Sequence, residues 1–186
     1  MKQIILASAS PRRKEILEKH SVDFRIEVSD VDESHGAMHP AELVEELSKR
    51  KAAAVFANHK DEIVLGADTV VAFGDGILEK PKDDKDACRM IKLLQGNCHQ
   101  VYTGVTICSP KNETTFSVKT DVYVKPMTEE EIKNYIATGE GNDKAGSYAI
   151  QGIFAKYIDK FEGDYENVVG LPGEAVLEAL RLGFAD

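Results

Sequence analysis

The alternation of apolar and polar positions divides the chain into strand and helix candidates before any single residue is weighed. Residues 3–7 form a short apolar run of the kind that buried strands carry. Residues 11–20 then read as a helix, with Ser10 as its N-cap and Pro11 at its first position, where a missing N–H costs nothing. Residues 40–57 place Leu43, Leu47 and Ala54 at helical spacing, and residues 62–67 form a second apolar strand. Residues 70–73 continue extended into Gly74-Asp75-Gly76, a hairpin signal. Residues 83–95 carry Ala87, Met90, Ile91 and Leu94 on one helical face and stop at Gly96. Residues 101–108 and 114–124 alternate as long strands, joined by the turn cluster Ser109-Pro110-Lys111-Asn112. Thr128-Glu129-Glu130-Glu131 is a capping box opening a helix that ends before Gly139. A polar, glycine-rich loop over 139–146, a strand over 154–158 and a helix over 173–182 complete the pattern. Helices between the early strands and hairpins in the middle predict a mixed α/β sheet rather than a purely parallel one.

Composition narrows the function. At 186 residues with 42% hydrophobic positions, the chain is expected to be one domain whose core needs no metal or disulfide staple. Lys plus Arg number 23 against 32 Asp plus Glu, a net charge of −9, which argues against nucleic acid or an anionic membrane as the main partner. Cys88, Cys98 and Cys108 are an odd, widely spaced set, so reduced thiols in a cytoplasmic protein are expected. The opening apolar run, Met1 to Ala7, is too short for a signal peptide, and no stretch approaches the roughly 18 apolar residues that a membrane span needs.

The most informative segment is Leu6-Ala7-Ser8-Ala9-Ser10-Pro11-Arg12-Arg13-Lys14, a strand end, two hydroxyls, a helix start and three cations together. A helix N-terminus offers unpaired N–H groups and about half a positive charge, which suits a phosphate. Arg12 and Arg13 can add forked, charge-assisted hydrogen bonds. The plain alternative is a capped helix with a solvated basic face, although cations in the first turn oppose the macrodipole. In Leu65-Gly66-Ala67-Asp68-Thr69-Val70-Val71, Asp68 interrupts an apolar stretch at an expected strand end. Its carboxylate is either satisfied by local N–H groups or kept to hold a cation or activate water. Lys80, before Pro81, and Lys144, after the polar loop, are further cations, and the Gln151 amide can read a base edge. Asp30-Val31-Asp32-Glu33 is an acidic cluster that could help hold a metal or be no more than an acidic loop. There is no G-x-x-x-x-G-K-[ST] loop, no metal-ligand spacing of cysteines, and no His-Glu-x-x-His around His35 and His39. Ser8 and Ser10 lack an obvious activating His.

Taken in order, these motifs resemble the Maf family of nucleoside triphosphate pyrophosphatases, once named for effects on septum formation. The resemblance runs through Leu6 to Arg13, Gly66-Ala67-Asp68-Thr69-Val70-Val71, Glu79-Lys80-Pro81, Asp143-Lys144-Ala145-Gly146, Ile150-Gln151-Gly152 and Tyr165-Glu166-Asn167-Val168-Val169-Gly170-Leu171-Pro172. It implies a single Maf-like domain over 1–186 of the α/β class, with an elongated mixed β-sheet flanked by helices and two lobes with a central cleft (Maf/ITPase-like). It further implies hydrolysis between the α- and β-phosphates of a nucleoside triphosphate with Mg²⁺ or Mn²⁺ as the divalent metal cation, and a homodimer. The general base falls on Asp68, and the residues that set base preference fall on Arg12, Thr69 and Gln151. That triplet is similar to the branch acting on dTTP and UTP rather than the branch acting on 7-methyl-GTP. Ser8, Ser10, Arg13, Lys80 and Lys144 are then the expected phosphate cradle, and Asp68 with Glu33 the expected metal ligands. Alternatives are a 7-methyl-GTP or purine triphosphate pyrophosphatase, and a nucleotide-sensing regulator of septum formation with little turnover. Ala9, and Ser147-Tyr148-Ala149 where Ala-Tyr-Gly is common, depart from the family pattern without removing a charge.

Overall fold

A computed structural model describes residues 2–28 and 30–184. The expected mixed α/β class is observed: among the described residues, seven strands form one sheet in the order β2-β1-β3-β5-β6-β7, with β4 paired to β3. The strands are β1 (Ile4–Leu6), β2 (Phe24–Ile26), β3 (Ile63–Phe73), β4 (Gly76–Leu78), β5 (Cys98–Cys108), β6 (Glu113–Val124) and β7 (Ile158–Glu162). β1 pairs in parallel with both β2 and β3, whereas the β3–β4 and β6–β7 pairs are antiparallel. The helices are α1 (Pro11–Lys19), α2 (Pro40–Phe56), α3 (Asp84–Leu94), α4 (Glu129–Ala137), α5 (Tyr165–Val169) and α6 (Gly173–Gly183).

Caps written in the sequence set several of these boundaries. The Ser10 side chain accepts the Arg13 N–H at the start of α1, and the Thr128/Glu131 capping box is complete in both directions at α4. Two expectations change. β3 runs unbroken through Asp68 and Thr69, so Asp68 lies mid-strand rather than at a strand end. The polar interruption is tolerated because both side chains find partners, Lys51 for Asp68 and Arg13 for Thr69. Residues expected as a strand over 154–158 instead make a 3-10 turn, Ile153–Tyr157, and the strand begins at Ile158. Phe154 and Tyr157 recur at the three-residue spacing of a 3-10 turn and are both buried there.

Backbone contacts gather the chain into two compact units. The first comprises Met1–Thr69, Thr103–Val118 and Gly170–Asp186, and the second Val70–Tyr102 and Lys119–Val169. In the first, Ile5, Ala7, Ala52, Val55, Val64 and Cys108 pack together under α2. In the second, Tyr135, Tyr148 and Tyr157 surround the fully buried Phe154, with ring centroids 5.0, 4.9 and 5.6 Å from it. All three cysteines are free, as the odd count led us to expect. No described helix is long and apolar enough to cross a membrane.

The backbone of α2 approaches β3 closely. A Cβ on Gly66 would run into the Ser48 carbonyl and come within 2.7 Å of the Ala52 nitrogen, so only glycine lets the helix backbone settle on the strand. Gly66→Ala is therefore expected to lower stability by about 1–3 kcal/mol through overpacking against backbone that cannot swing aside. Urea denaturation checks it; an unchanged midpoint would mean that α2 can slide without penalty.

Candidate active site

The first unit assembles a cluster from four separate segments. α1 begins after a four-residue connection from the end of β1 at Leu6, with Ser8 in that connection, and its first turn holds no acidic residue but carries Arg12 and Arg13, both half-buried. Arg13 reaches back across the turn. Its Nη1 donates to Ser8 Oγ at 3.0 Å, its Nη2 to Thr69 Oγ1 at 3.1 Å and its Nε to the Gly170 carbonyl at 2.8 Å. One planar guanidinium thus joins the connection after β1, the middle of β3 and the loop before α6. The Thr69 hydroxyl also contacts Thr103 Oγ1 at 2.9 Å, on β5. Ser8 is buried and its Oγ accepts the Ser10 N–H at 3.3 Å, so the hydroxyl pair noted in the sequence belongs to the same network. Burial lowers the proton affinity of the Arg13 guanidinium, the Asp68 charge opposes that, and neighbouring Arg12 adds to the lowering.

One residue before Thr69, the Asp68 carboxylate is buried and accepts from Lys51 Nζ at 2.6 Å. The same ammonium lies 3.0 Å from Glu33 Oε1. Lys51 was not among the residues singled out from the sequence, yet a signal was there. Leu43, Leu47, Lys51 and Val55 recur every four residues along α2, so a cation sits on the stripe that packs on the sheet. Its neighbour Arg50 donates to the Asp32 and Ser34 carbonyls at 3.0 and 2.9 Å, tethering the acidic loop to the helix. Of that acidic cluster, Glu33 is brought to Asp68, whereas the Asp32 carboxylate turns into its own loop and accepts the Ser34 N–H. The hydrogen bonding of Ser34 holds the Asp32 carboxyl below its ordinary range.

Glu33 and Asp68 fit a hard divalent cation as donors. Both are oxygen ligands, and they already converge on one positive charge, the Lys51 ammonium. No group of three or more His, Cys, Asp or Glu able to hold a metal occurs among the described residues. Magnesium needs no such cage, since one or two carboxylates with substrate phosphates commonly suffice.

The remaining candidates lie in the second unit. Lys80 is exposed in the bend after β4. The Glu79 carbonyl beside it accepts the Gly146 N–H at 3.2 Å, which ties the Lys80 segment to the loop carrying Lys144. Lys144 Nζ is held at 2.8 Å by both the Glu140 carbonyl and Asp143 Oδ1, and Gln151 is exposed on the following turn. Ser8, Ser10, Arg13 and Thr69 thus belong to one hydrogen-bonded set in the first unit, with Thr103 and the Gly170 carbonyl, and Glu33 and Asp68 to another held by Lys51; the two meet at Asp68-Thr69, and Lys51, Thr103 and Gly170 were not singled out from the sequence. Lys80, Lys144 and Gln151 belong to neighbouring loops of the second unit.

Fold and side chains together define a mixed α/β protein whose sheet supports an arginine-laced helix start and a carboxylate pair neutralised by a lysine. The chain belongs to the Maf family: the model of that family, described as Maf-like protein, matches residues 3–182. It is 50% identical over 99% of its length to the whole of a Geobacillus sp. (strain WCH70) protein named dTTP/UTP pyrophosphatase. Proteins of the same name from Bacillus cytotoxicus and Thermoanaerobacter pseudethanolicus are 50% and 48% identical to it. Those two matches cover 97% and 98% of this chain and 95% and 97% of theirs.

Proposed function

We propose that this protein hydrolyses dTTP and UTP, and modified pyrimidine triphosphates, to the monophosphate and pyrophosphate, removing non-standard nucleotides in the cytoplasm. The observation that carries the reading is the junction at Asp68-Thr69. A buried carboxylate paired to a lysine stands one residue from a hydroxyl held by an arginine at a helix start. The proposed proton acceptor and the arginine of the helix start are thereby tied to consecutive residues of one strand. Full-length similarity to proteins named dTTP/UTP pyrophosphatase supports the choice of substrate.

A triphosphate brings roughly four negative charges, more than an acidic chain can accept without local cations. Arg13, Lys80, Lys144 and the N–H groups that follow Ser8 and Ser10 would neutralise them. Asp68 would take the proton of the attacking water as its oxygen bonds to phosphorus. The bond between that phosphorus and the bridging oxygen then breaks, and pyrophosphate leaves with the electron pair. A Mg²⁺ or Mn²⁺ held by Glu33, and by Asp68 where that carboxylate serves as ligand rather than as base, would supply charge neutralisation on the phosphate oxygens. Lys51 bridges the two carboxylates. Arg12, Thr69 and Gln151 would set base preference, with a homodimer as the expected assembly.

The test is pyrophosphate release from dTTP, UTP, CTP, ATP, GTP, ITP and 7-methyl-GTP with Mg²⁺ or Mn²⁺. Fast release from dTTP and UTP supports the reading; fast release from 7-methyl-GTP or purines alone overturns the substrate, and none from any nucleotide overturns the enzyme. Gln151→Ala is expected to narrow the preference for dTTP over CTP by about ten-fold or more, because a site built to pair a base edge rejects a mismatched one strongly. Equal losses on every nucleotide would remove Gln151 from base choice.

A further inference from the structure

The loop that carries Lys144 and the turn that carries Gln151 are joined through one side chain, that of Glu140. This residue follows α4 and lies at the start of the polar loop. Its Oε1 accepts the Ile153 N–H at 2.7 Å and its Oε2 the Phe154 N–H at 3.2 Å. Both oxygens of one carboxylate therefore hold consecutive amides at the opening of the 3-10 turn, directly after Gln151-Gly152. The far end of the grip is anchored, since Phe154 is fully buried among three tyrosine rings. At the same residue, the Glu140 carbonyl accepts from Lys144 Nζ at 2.8 Å. Gly152 makes room for the arrangement: a Cβ at that position would collide with the Glu140 carboxylate.

A carboxylate on two backbone N–H groups makes charge-assisted bonds, roughly twice as strong as neutral ones. The residues on either side of this clamp are the cation proposed for the phosphates and the amide proposed for the base. We propose that Glu140 is a positioning residue that holds Lys144 and Gln151 in fixed relation, so that phosphate binding and base choice are set by one clamp. The proposal rests on the nucleotide reading of this site.

The experiment compares wild type, Glu140→Ala and Glu140→Gln, with Gln151→Ala beside them. KM and kcat are measured for dTTP and CTP, together with hydrogen exchange at the Ile153 and Phe154 amides. Glu140→Ala is expected to raise KM for dTTP about ten-fold and to cut the preference for dTTP over CTP by a similar factor, with kcat changed less than about three-fold. Gln151→Ala is expected to change the preference with a smaller effect on KM. Glu140→Gln preserves size and one acceptor oxygen, so it should fall between wild type and Glu140→Ala, and it serves alone if the alanine variant does not fold. Both amides should exchange faster in either folded Glu140 variant. The proposal is overturned if every folded Glu140 variant keeps the wild-type KM and preference, or if amide exchange is unchanged. A wild type that releases no pyrophosphate from any nucleotide overturns the proposed function instead, and the exchange measurement still decides whether the clamp exists.

Discussion

Asp68→Asn is expected to lower pyrophosphate release by about 10²–10⁴-fold, the contribution typical of a positioned base, while leaving the fold intact. The amide matches the carboxylate in size and keeps an acceptor oxygen, but it cannot take up a proton from water. Its partner is not stranded by the change, because Lys51 Nζ also pairs with Glu33 at 3.0 Å. The variant therefore separates chemistry from folding better than truncation would. Initial rates with saturating dTTP, read beside circular dichroism and a thermal melt, check it. A rate within about three-fold of wild type would remove Asp68 from proton acceptance.

Arg13→Lys is expected to cost about 10²-fold or more in kcat/KM while moving the melting temperature by less than about 5 °C. The asymmetry follows from the environment. The guanidinium makes three directed bonds, to Ser8, Thr69 and Gly170, that a single ammonium cannot reproduce with the same spread. Yet burial lowers its proton affinity despite the opposing charges of Asp68 and Glu33, so the charge is held against a desolvation penalty. The desolvation penalty offsets part of what the three bonds add to stability, while their geometry is kept in full. Equal effects on stability and turnover, or none on turnover, would make Arg13 a structural strut.

Helices α1, α3 and α4 were legible in the sequence because caps and apolar stripes act within three or four residues, the range that a linear pattern displays directly. β2 and α5 carry no such signal: at three and five residues respectively they are too short to establish a period. The error at residues 154–158 has a different cause. The N–H groups of Ile153 and Phe154 are satisfied by Glu140, 13 and 14 residues upstream, a partner that no local pattern reveals. Asp68 was singled out as a polar outlier, but its mid-strand placement depended on Lys51 and on the neighbouring Arg13–Thr69 bond.

The linear order of residues carries the α/β class, most element boundaries, the helix start at Ser10 and, through six motifs in order, the family. These depend on local hydrogen bonding, on periodicity and on residue identity, all of which are present in the linear order. Which charged groups meet depends on packing between distant segments. Parallel pairing sets Leu6 of β1 against Leu65 of β3, with the Ala7 N–H on the Leu65 carbonyl at 2.8 Å. That register carries the chain beyond β1 alongside the segment holding Asp68 and Thr69, and Arg13 then bonds to residues 56 and 157 positions away. Gly66 lets α2 lie close enough on β3 for Lys51 to reach Asp68. Spacing in sequence cannot encode such meetings, because they follow from how a sheet and a helix pack once the apolar faces are buried.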